Sequence, residues 1–308
     1  RPDGIEAVAI LTPNHLHAPA ARAFMEHGIH VICEKPMTAH LAEAEELARV
    51  AAEKNVVFVV THSYSGFPMV RQAREIARSG ALGDVRSVKA IYFQGWMADL
   101  ESAGANAAPV WRTDPARSGI AGTVADVGSH AFHMASYVSG LDLEAVAADL
   151  SALGPVTTLD CDASMLLRFK GGAKGSLWCS QAAAGHTNTF DLAIHGSKGA
   201  LRWSVERPGE LHLALVGKPA EILAPTAEQA EALAHWTKMG LAGLEHYFAG
   251  FATIYDDAAE LIAAQKEGRA AETRAALSPD VRDGLAVMRF VDAAVRSSRA
   301  NAAWTSPD

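Results

Sequence analysis

Apolar positions in the first eighty residues come in short unbroken runs, at 7–11, 30–33 and 56–60. Runs of this length, apolar at nearly every position, are the pattern of strands buried on both faces of a parallel sheet. Helical spacing fills the gaps. A first helix is expected from about Pro19, with Ala20, Ala23 and Phe24 as its stripe and Gly28 as its stop. A second is expected from Thr38, a good N-cap, with Leu41, Ala44, Leu47, Ala48 and Ala51 on its buried face and Asn55 at its end. Strands joined through a helix must run parallel. A third helix is expected at 68–79, with Gly80 just past it.

The pattern then changes. From residue 85 the strands are longer and several alternate apolar with polar positions: 85–93, 145–150, 162–169, 175–181, 189–195, 201–205 and 211–216. Gly171-Gly172 and the run Gly196 to Gly199 are hairpin-turn signals. Short turns without intervening helices predict a mostly antiparallel sheet. One clear helix, 124–138, interrupts it, and helices at 225–234, 243–266 and 281–297 follow. The chain therefore divides into an α/β domain, 1–82, and an α+β domain, 83–308, closed by the last helix.

Composition narrows the class. The 308 residues are 49% hydrophobic and 20% charged, ordinary for a globular protein, and the net charge of −8 argues against a nonspecific nucleic-acid partner. No apolar run approaches the roughly 20 residues of a membrane span, so no membrane role is expected. No signal peptide is expected at the opening of the chain. Cys33, Cys161 and Cys179 are far apart and lack metal-type spacing, which suggests buried thiols in a reducing, cytoplasmic setting and no metal.

The chemistry gathers where parallel strands end, since ligands sit beyond their carboxyl ends. Thr12-Pro13-Asn14 ends the first strand and Glu34-Lys35-Pro36 the second. Lys35 is a partly desolvated amine suited to proton transfer with a substrate hydroxyl, with Glu34 beside it to tune that charge; a lysine capping a strand edge fits the same pattern. Asp126 and His130 stand four apart on a helix, where a carboxylate can fix an imidazole tautomer. The alternative there is a favourable aspartate near a helix start beside a half-buried histidine. Trp111 and Arg112 precede a glycine-bearing loop; an indole face stacks on a ring and an arginine clamps phosphate. Tyr64, Gln94, Gln181, His186 and Asn188 lie at or near strand ends, and His133 extends the Asp126 face; each is a candidate substrate contact.

Together the motifs TPNHLH, GIHVICEKP and SGIAGTVADVGSHAFH, in this order, resemble those of the Gfo/Idh/MocA (glucose–fructose oxidoreductase/inositol dehydrogenase) family. The resemblance covers nearly the whole chain. It implies a Rossmann domain followed by an open, mostly antiparallel sheet. It also implies hydride transfer between NAD or NADP and a secondary alcohol of a sugar or polyol. Trp178, Leu192, Ile194, Trp203, Leu211 and Leu213 are more apolar sheet surface than one helix layer is expected to cover, so a homo-oligomer, dimer or tetramer, is expected, with sheets packed face to face as in this family. The resemblance makes Lys35 the catalytic lysine and Asp126–His130 the paired acid–base residues. The turn Thr12, Pro13 and Asn14, with His17, Glu34 and Lys35, would line the cofactor, and Trp111 and Arg112 would belong to a cofactor- or substrate-side loop.

Three departures stand out. His133 replaces an aspartate common in the family, and Ser63-Tyr64-Ser65-Gly66 replaces an Asn-Arg-Arg-Phe-like stretch, which implies a different pocket. The chain also has no G-x-G-x-x-G turn. In the doubly wound order 3-2-1-4-5-6 its strands correspond to 4, 5 and 6, so the expectation is the C-terminal half of a Rossmann domain. Two other readings share the fold: a glycosidase that keeps NAD bound and oxidises its substrate only transiently, and a non-catalytic dinucleotide-binding regulator.

Overall fold

A computed structural model describes residues 4–103, 111–153, 158–238 and 244–308. In chain order the first part holds β1 (Ala7–Ile10), α1 (His17–Glu26), β2 (His30–Cys33), α2 (Leu41–Lys54), β3 (Phe58–Val60) and α3 (Pro68–Arg78). Then come β4 (Val85–Phe93), α4 (Trp96–Ala103), α5 (Pro115–Ser118), a π-turn (Val124–Gly128) and α6 (Ser129–Ser139). Strands β5 (Leu143–Ser151), β6 (Asp162–Phe169), β7 (Lys174–Ser180), β8 (Thr189–Gly196), β9 (Gly199–Ser204), β10 (Leu211–Leu215) and β11 (Glu221–Leu223) follow. The chain closes with α7 (Ala227–Lys238), α8 (Glu245–Glu267) and α9 (Val281–Arg299).

The first sheet has the order β1-β2-β3 and is parallel throughout, with Ile10 opposite Cys33 and Cys33 opposite Val60. Its strands are apolar on both faces because both are covered. Ile10, Val31, Cys33, Phe58 and Val60 pack under α1, α2 and Met288 of α9. Ile32 and Val59 point the other way, onto Ile254 and Ala258 of α8. Residues 279–280, just before α9, also join β3 directly: Val60 N–H donates to Pro279 O at 2.9 Å. So α8 and α9, late in the chain, complete the layers of the first domain, and the division near Leu82 marks the change of sheet.

The second sheet has eight strands in the order β11-β10-β9-β8-β4-β7-β6-β5, antiparallel except for β4–β7. Leu192, Ile194, Trp203 and Leu211 all lie on its inner face, buried with α3, α6 and α9. Trp178, on the alternate register position, is 49% exposed on the outer face.

Local differences from the sequence pattern have local causes. Helix α2 starts at Leu41, not Thr38, because buried Met37, Thr38 and Ala39 first carry the chain away from Lys35. Asn55 ends it in the left-handed conformation, as a C-cap does. The expected helix 124–138 is a π-turn running into α6. Short α4 and the three-residue edge strand β11 carry no periodic signal. Gly243, an expected helix start, lies outside the described residues.

Candidate active site

The parallel sheet delivers three polar turns to one edge: Thr12 to Asn14 after β1, Glu34 to Pro36 after β2, and Thr61 to Ser63 after β3. Facing them, the π-turn and α6 bring Asp126 and His130 from the second domain. Lys35 bridges the two. Its Nζ donates to the Asp126 carbonyl at 3.1 Å and, in a short contact, to Asp126 Oδ1. The side chains keep only 11% and 21% exposure.

Asp126 is heavily partnered. Gln181 Nε2 donates to its Oδ2 at 2.8 Å, and Arg112 Nε lies 3.3 Å from the same oxygen. Burial pushes a carboxyl up, but the charges of Lys35 and Arg112 outweigh it and hold Asp126 well below the usual carboxylate range. The carboxylate therefore does not hold His130, as the four-residue spacing suggested. Two cations and an amide take its oxygens, and they bind an anion more strongly than a neutral imidazole can. Among the described residues His130 Nδ1 has no hydrogen-bond partner. Burial, followed by the charge of Lys35, drives His130 well below an ordinary histidine, so at neutral pH it is an uncharged acceptor.

Two cavities meet here. The larger, about 720 Å³, has Lys35, Asp126 and His130 in its lining, and Tyr64, Phe67, Tyr92, Trp96, Tyr247 and Phe251 supply aromatic surface. One polar ladder runs along it. Gln181 Nε2 donates to Gln94 Oε1 (3.2 Å), Gln94 Nε2 to Asn188 Oδ1 (3.2 Å) and Asn188 Nδ2 to Tyr64 OH (3.3 Å); the Tyr64 and Tyr92 hydroxyls are 2.8 Å apart. The ladder runs from the Asp126 carboxylate to a phenol pair, and polar groups held this way fix the orientation of a ligand.

The smaller cavity, about 180 Å³, is lined by Thr12, Pro13, Asn14, Trp111 and Ser118 together with Gln181. Glu34, Lys35, Arg112 and Asp126 line both cavities. A hydroxyl, an amide, an arginine and an indole around a slot beside Lys35 are a donor set that fits a nicotinamide and its carboxamide. Arg112 also lies over the Trp111 ring, 4.5 Å from its centre.

Three expected contacts lie elsewhere. His17 is 1% exposed, and its ring nitrogens sit 2.7 Å from Thr12 O and 2.9 Å from Pro36 O. It braces the two turns against each other and lines neither cavity. His186 is exposed on the β7–β8 connection, bonded to Thr189 Oγ1 at 2.9 Å, outside both cavities. His133 does not line the larger cavity: it stacks on His62, which stands between it and His130, and it lines a separate cavity.

Other residues escaped the sequence reading. Thr61 Oγ1 donates to the Glu34 carboxylate. It follows β3 just as Asn14 and Glu34 follow their strands, so the same rule, applied to the third strand, finds it. Tyr247 and Phe251 come from α8, some 180 residues beyond Tyr64, and no local signal marks them. Gly66 and Gly250 let them approach, since a side chain on Gly66 would meet the Gly250 backbone.

Comparison with known proteins agrees with this architecture. Residues 1–62 match the oxidoreductase family with an NAD-binding Rossmann fold, and 70–202 match the GFO/IDH/MocA C-terminal domain. An uncharacterized oxidoreductase of Bacillus subtilis is 30% identical over 99% of this chain and 78% of its own length. Levoglucosan dehydrogenase of Pseudarthrobacter phenanthrenivorans is 33% identical over 70% of this chain; the match spans 60% of that enzyme. The crystal structure of an inositol dehydrogenase homolog from Azotobacter vinelandii, complexed with NAD+, superimposes with a TM-score of 0.86 at 29% identity, covering 99% of this chain and 79% of that one. By sequence, by fold and by the motifs at its cleft, the chain belongs to the GFO/IDH/MocA family of oxidoreductases.

Proposed function

We propose that the protein is an NAD-dependent dehydrogenase acting on a secondary alcohol of a sugar, polyol or anhydro-sugar. One observation carries this reading: a small polar slot and a larger aromatic and polar cavity share Lys35 and Asp126 at their junction. Aromatic faces suit the C–H faces of a sugar ring, and the Gln94–Asn188–Tyr64 ladder suits its hydroxyls. The levoglucosan dehydrogenase and the inositol dehydrogenase homolog point to the same substrate class and to NAD.

In this reading Thr12, Pro13, Asn14, Glu34, Lys35, Trp111 and Arg112 hold the nicotinamide end of the cofactor. When bound, NAD+ supplies a hydride acceptor. The chain's own residues manage the proton. His130, neutral and buried, accepts it from the substrate hydroxyl as general base. The Lys35 ammonium donates to the same oxygen and stabilises the developing alkoxide. Asp126 fixes Lys35 and Arg112 in place. The slot is assigned to the nicotinamide end of the cofactor, and no residue is given to its pyrophosphate.

The outer face of the eight-stranded sheet presents Leu166 (56% exposed), Trp178 (49%) and Trp304 (41%) around one shallow basin. We take this face as a contact between copies, in a dimer or tetramer. Sedimentation velocity at micromolar concentration checks it: Trp178→Glu should lower the mass, and a monomeric wild type would remove the assignment. Three buried free thiols fit a reducing, cytoplasmic setting.

The test of function is a panel of sugars, polyols and anhydro-sugars with the full-length protein, followed by the absorbance of reduced nicotinamide. Net NADH formation with at least one is expected. Glycoside cleavage without net NADH would make it a glycosidase, and NAD binding without turnover a regulator.

A further inference from the structure

Behind the active site stands a column of three imidazoles. His130 lines the large cavity. His62, just beyond β3, meets it edge to face, with ring centres 5.6 Å apart at 83°. His133 stacks flat on His62, 4.1 Å between centres and 7° between planes. His133 in turn lines a separate cavity of about 500 Å³ beside Arg74, Ser136, Tyr137 and Asp283. The column thus runs from one cavity to the other past α6.

These rings are 7%, 1% and 3% exposed, yet four of their nitrogens lack a hydrogen-bond partner among the described residues: His130 Nδ1, both nitrogens of His62, and His133 Nε2. The Ser136 hydroxyl, at the outer end, is also without one. Folded proteins pair nearly all such atoms, because leaving them unpaired costs stability. Three phenylalanines would fill the same space without that cost. The nitrogens therefore call for a use that packing does not supply.

We propose that His62 and His133 relay the proton that His130 takes from the substrate, and discharge it into the second cavity. This rests on the dehydrogenase reading. Oxidation sends two electrons and one hydrogen from the carbinol carbon to the nicotinamide as hydride, and leaves the hydroxyl proton to be disposed of. His130 accepts that proton on one nitrogen and releases the proton of the other towards His62; the two rings share no hydrogen bond, so this step passes through a water or a rotation of one ring. His62 does the same towards His133, and His133 hands a proton to water in the second cavity. Each ring gains one proton and loses one, so no charge accumulates, and ring rotation restores the starting tautomers. Because His62 and His133 are face to face, their step passes along the ring edges, through a water or a rotation of one ring.

The surroundings suit a neutral relay. Burial is the main reason all three stay uncharged at rest; Lys35 adds to this at His130 and His62, and Arg74 at His133, while Asp126 alone opposes it at His130. A neutral imidazole carries one donor and one acceptor, which is what a relay needs. The route also leads away from the cleft that cofactor and substrate fill, so proton release need not wait for the cleft to empty.

The test uses His62→Phe and His133→Phe in the full-length enzyme, which keep the stack and remove the nitrogens. Thermal melting checks the fold, and His133→Gln serves if a phenylalanine variant fails to fold. The relay predicts kcat lower by about tenfold or more with KM changed much less, and partial recovery of His133→Phe by added imidazole. It also predicts, without turnover, that NMR-detected exchange of the His62 ring proton with water slows in His133→Phe or His133→Gln. Folded variants with kcat within about twofold of wild type would overturn the relay. So would a loss of kcat without imidazole recovery and with unchanged ring-proton exchange. If the wild type oxidises nothing in the panel, the dehydrogenase reading fails first, and the exchange measurement still decides the column.

Discussion

Replacing Asp126 by asparagine keeps the shape of the side chain and removes its charge. In the wild type that charge lies between Lys35 and Arg112, with side-chain exposures of 21% for the aspartate, 11% for the lysine and 43% for the arginine. Without it, two cations face each other across a neutral amide. Breaking a buried pair from one side costs about 3–5 kcal/mol; with this residual exposure the lower end, about 3 kcal/mol, applies. For a chain of this size each kcal/mol moves the melting temperature by about 2–3 °C, so Asp126→Asn should melt about 6–9 °C lower at pH 7. The pH dependence has a definite sign. Asp126 titrates lower in the folded state than in the unfolded chain, so its contribution is complete above the ordinary carboxyl pKa, about 4, and is lost as pH falls below it towards the folded value. The gap between wild type and variant should therefore narrow below about pH 4. Differential scanning calorimetry at pH 7 and pH 3.5 measures both. A variant that melts with the wild type or above it at pH 7 would refute the reasoning, because the pair would then be strained and not stabilising.

Other perturbations probe other contacts. A Cβ on Gly66 would lie 2.8 Å from the Gly250 carbonyl carbon and 2.9 Å from its Cα, so Gly66→Ala must push α8 outward. It should cost about 1–3 kcal/mol and raise KM, since α8 carries Tyr247 and Phe251; unchanged melting and unchanged KM would show that this contact has room. His133, pushed down to about 3 by burial and then by Arg74, resists protonation in the folded state, whereas the unfolded chain protonates near pH 6.5. Stability should fall as pH drops from there towards 3, and His133→Phe should have the shallower loss between pH 7 and pH 5 in urea titrations. Equal slopes would contradict it.

Much of this was legible from residue order. Unbroken apolar runs gave the parallel strands, because both faces of that sheet are covered, and the rule that ligands gather at strand ends led to Asn14, Glu34 and Lys35. Alternation located the long strands, and β4 and β6 keep their expected bounds. What the order of residues hides is competition between distant groups. Spacing alone paired Asp126 with His130, but Arg112 and Lys35 reach the carboxylate from other elements. His17 looked like a ligand contact because it sits in a ligand turn, yet two backbone carbonyls hold its ring. Helix α8 sits on the first sheet although it follows the second in sequence, and nothing local to residues 245–267 says so.

The central claim is that Lys35 and His130 act on one substrate oxygen where the two cavities meet. Steady-state kinetics of Lys35→Ala and His130→Ala, in the full-length enzyme with the best substrate of the panel, tests it most directly. The account predicts that each lowers kcat by about 10²–10⁴, while NAD+ affinity, measured by titration, changes far less. Near-normal kcat in both variants would contradict it and return these two residues to a structural role.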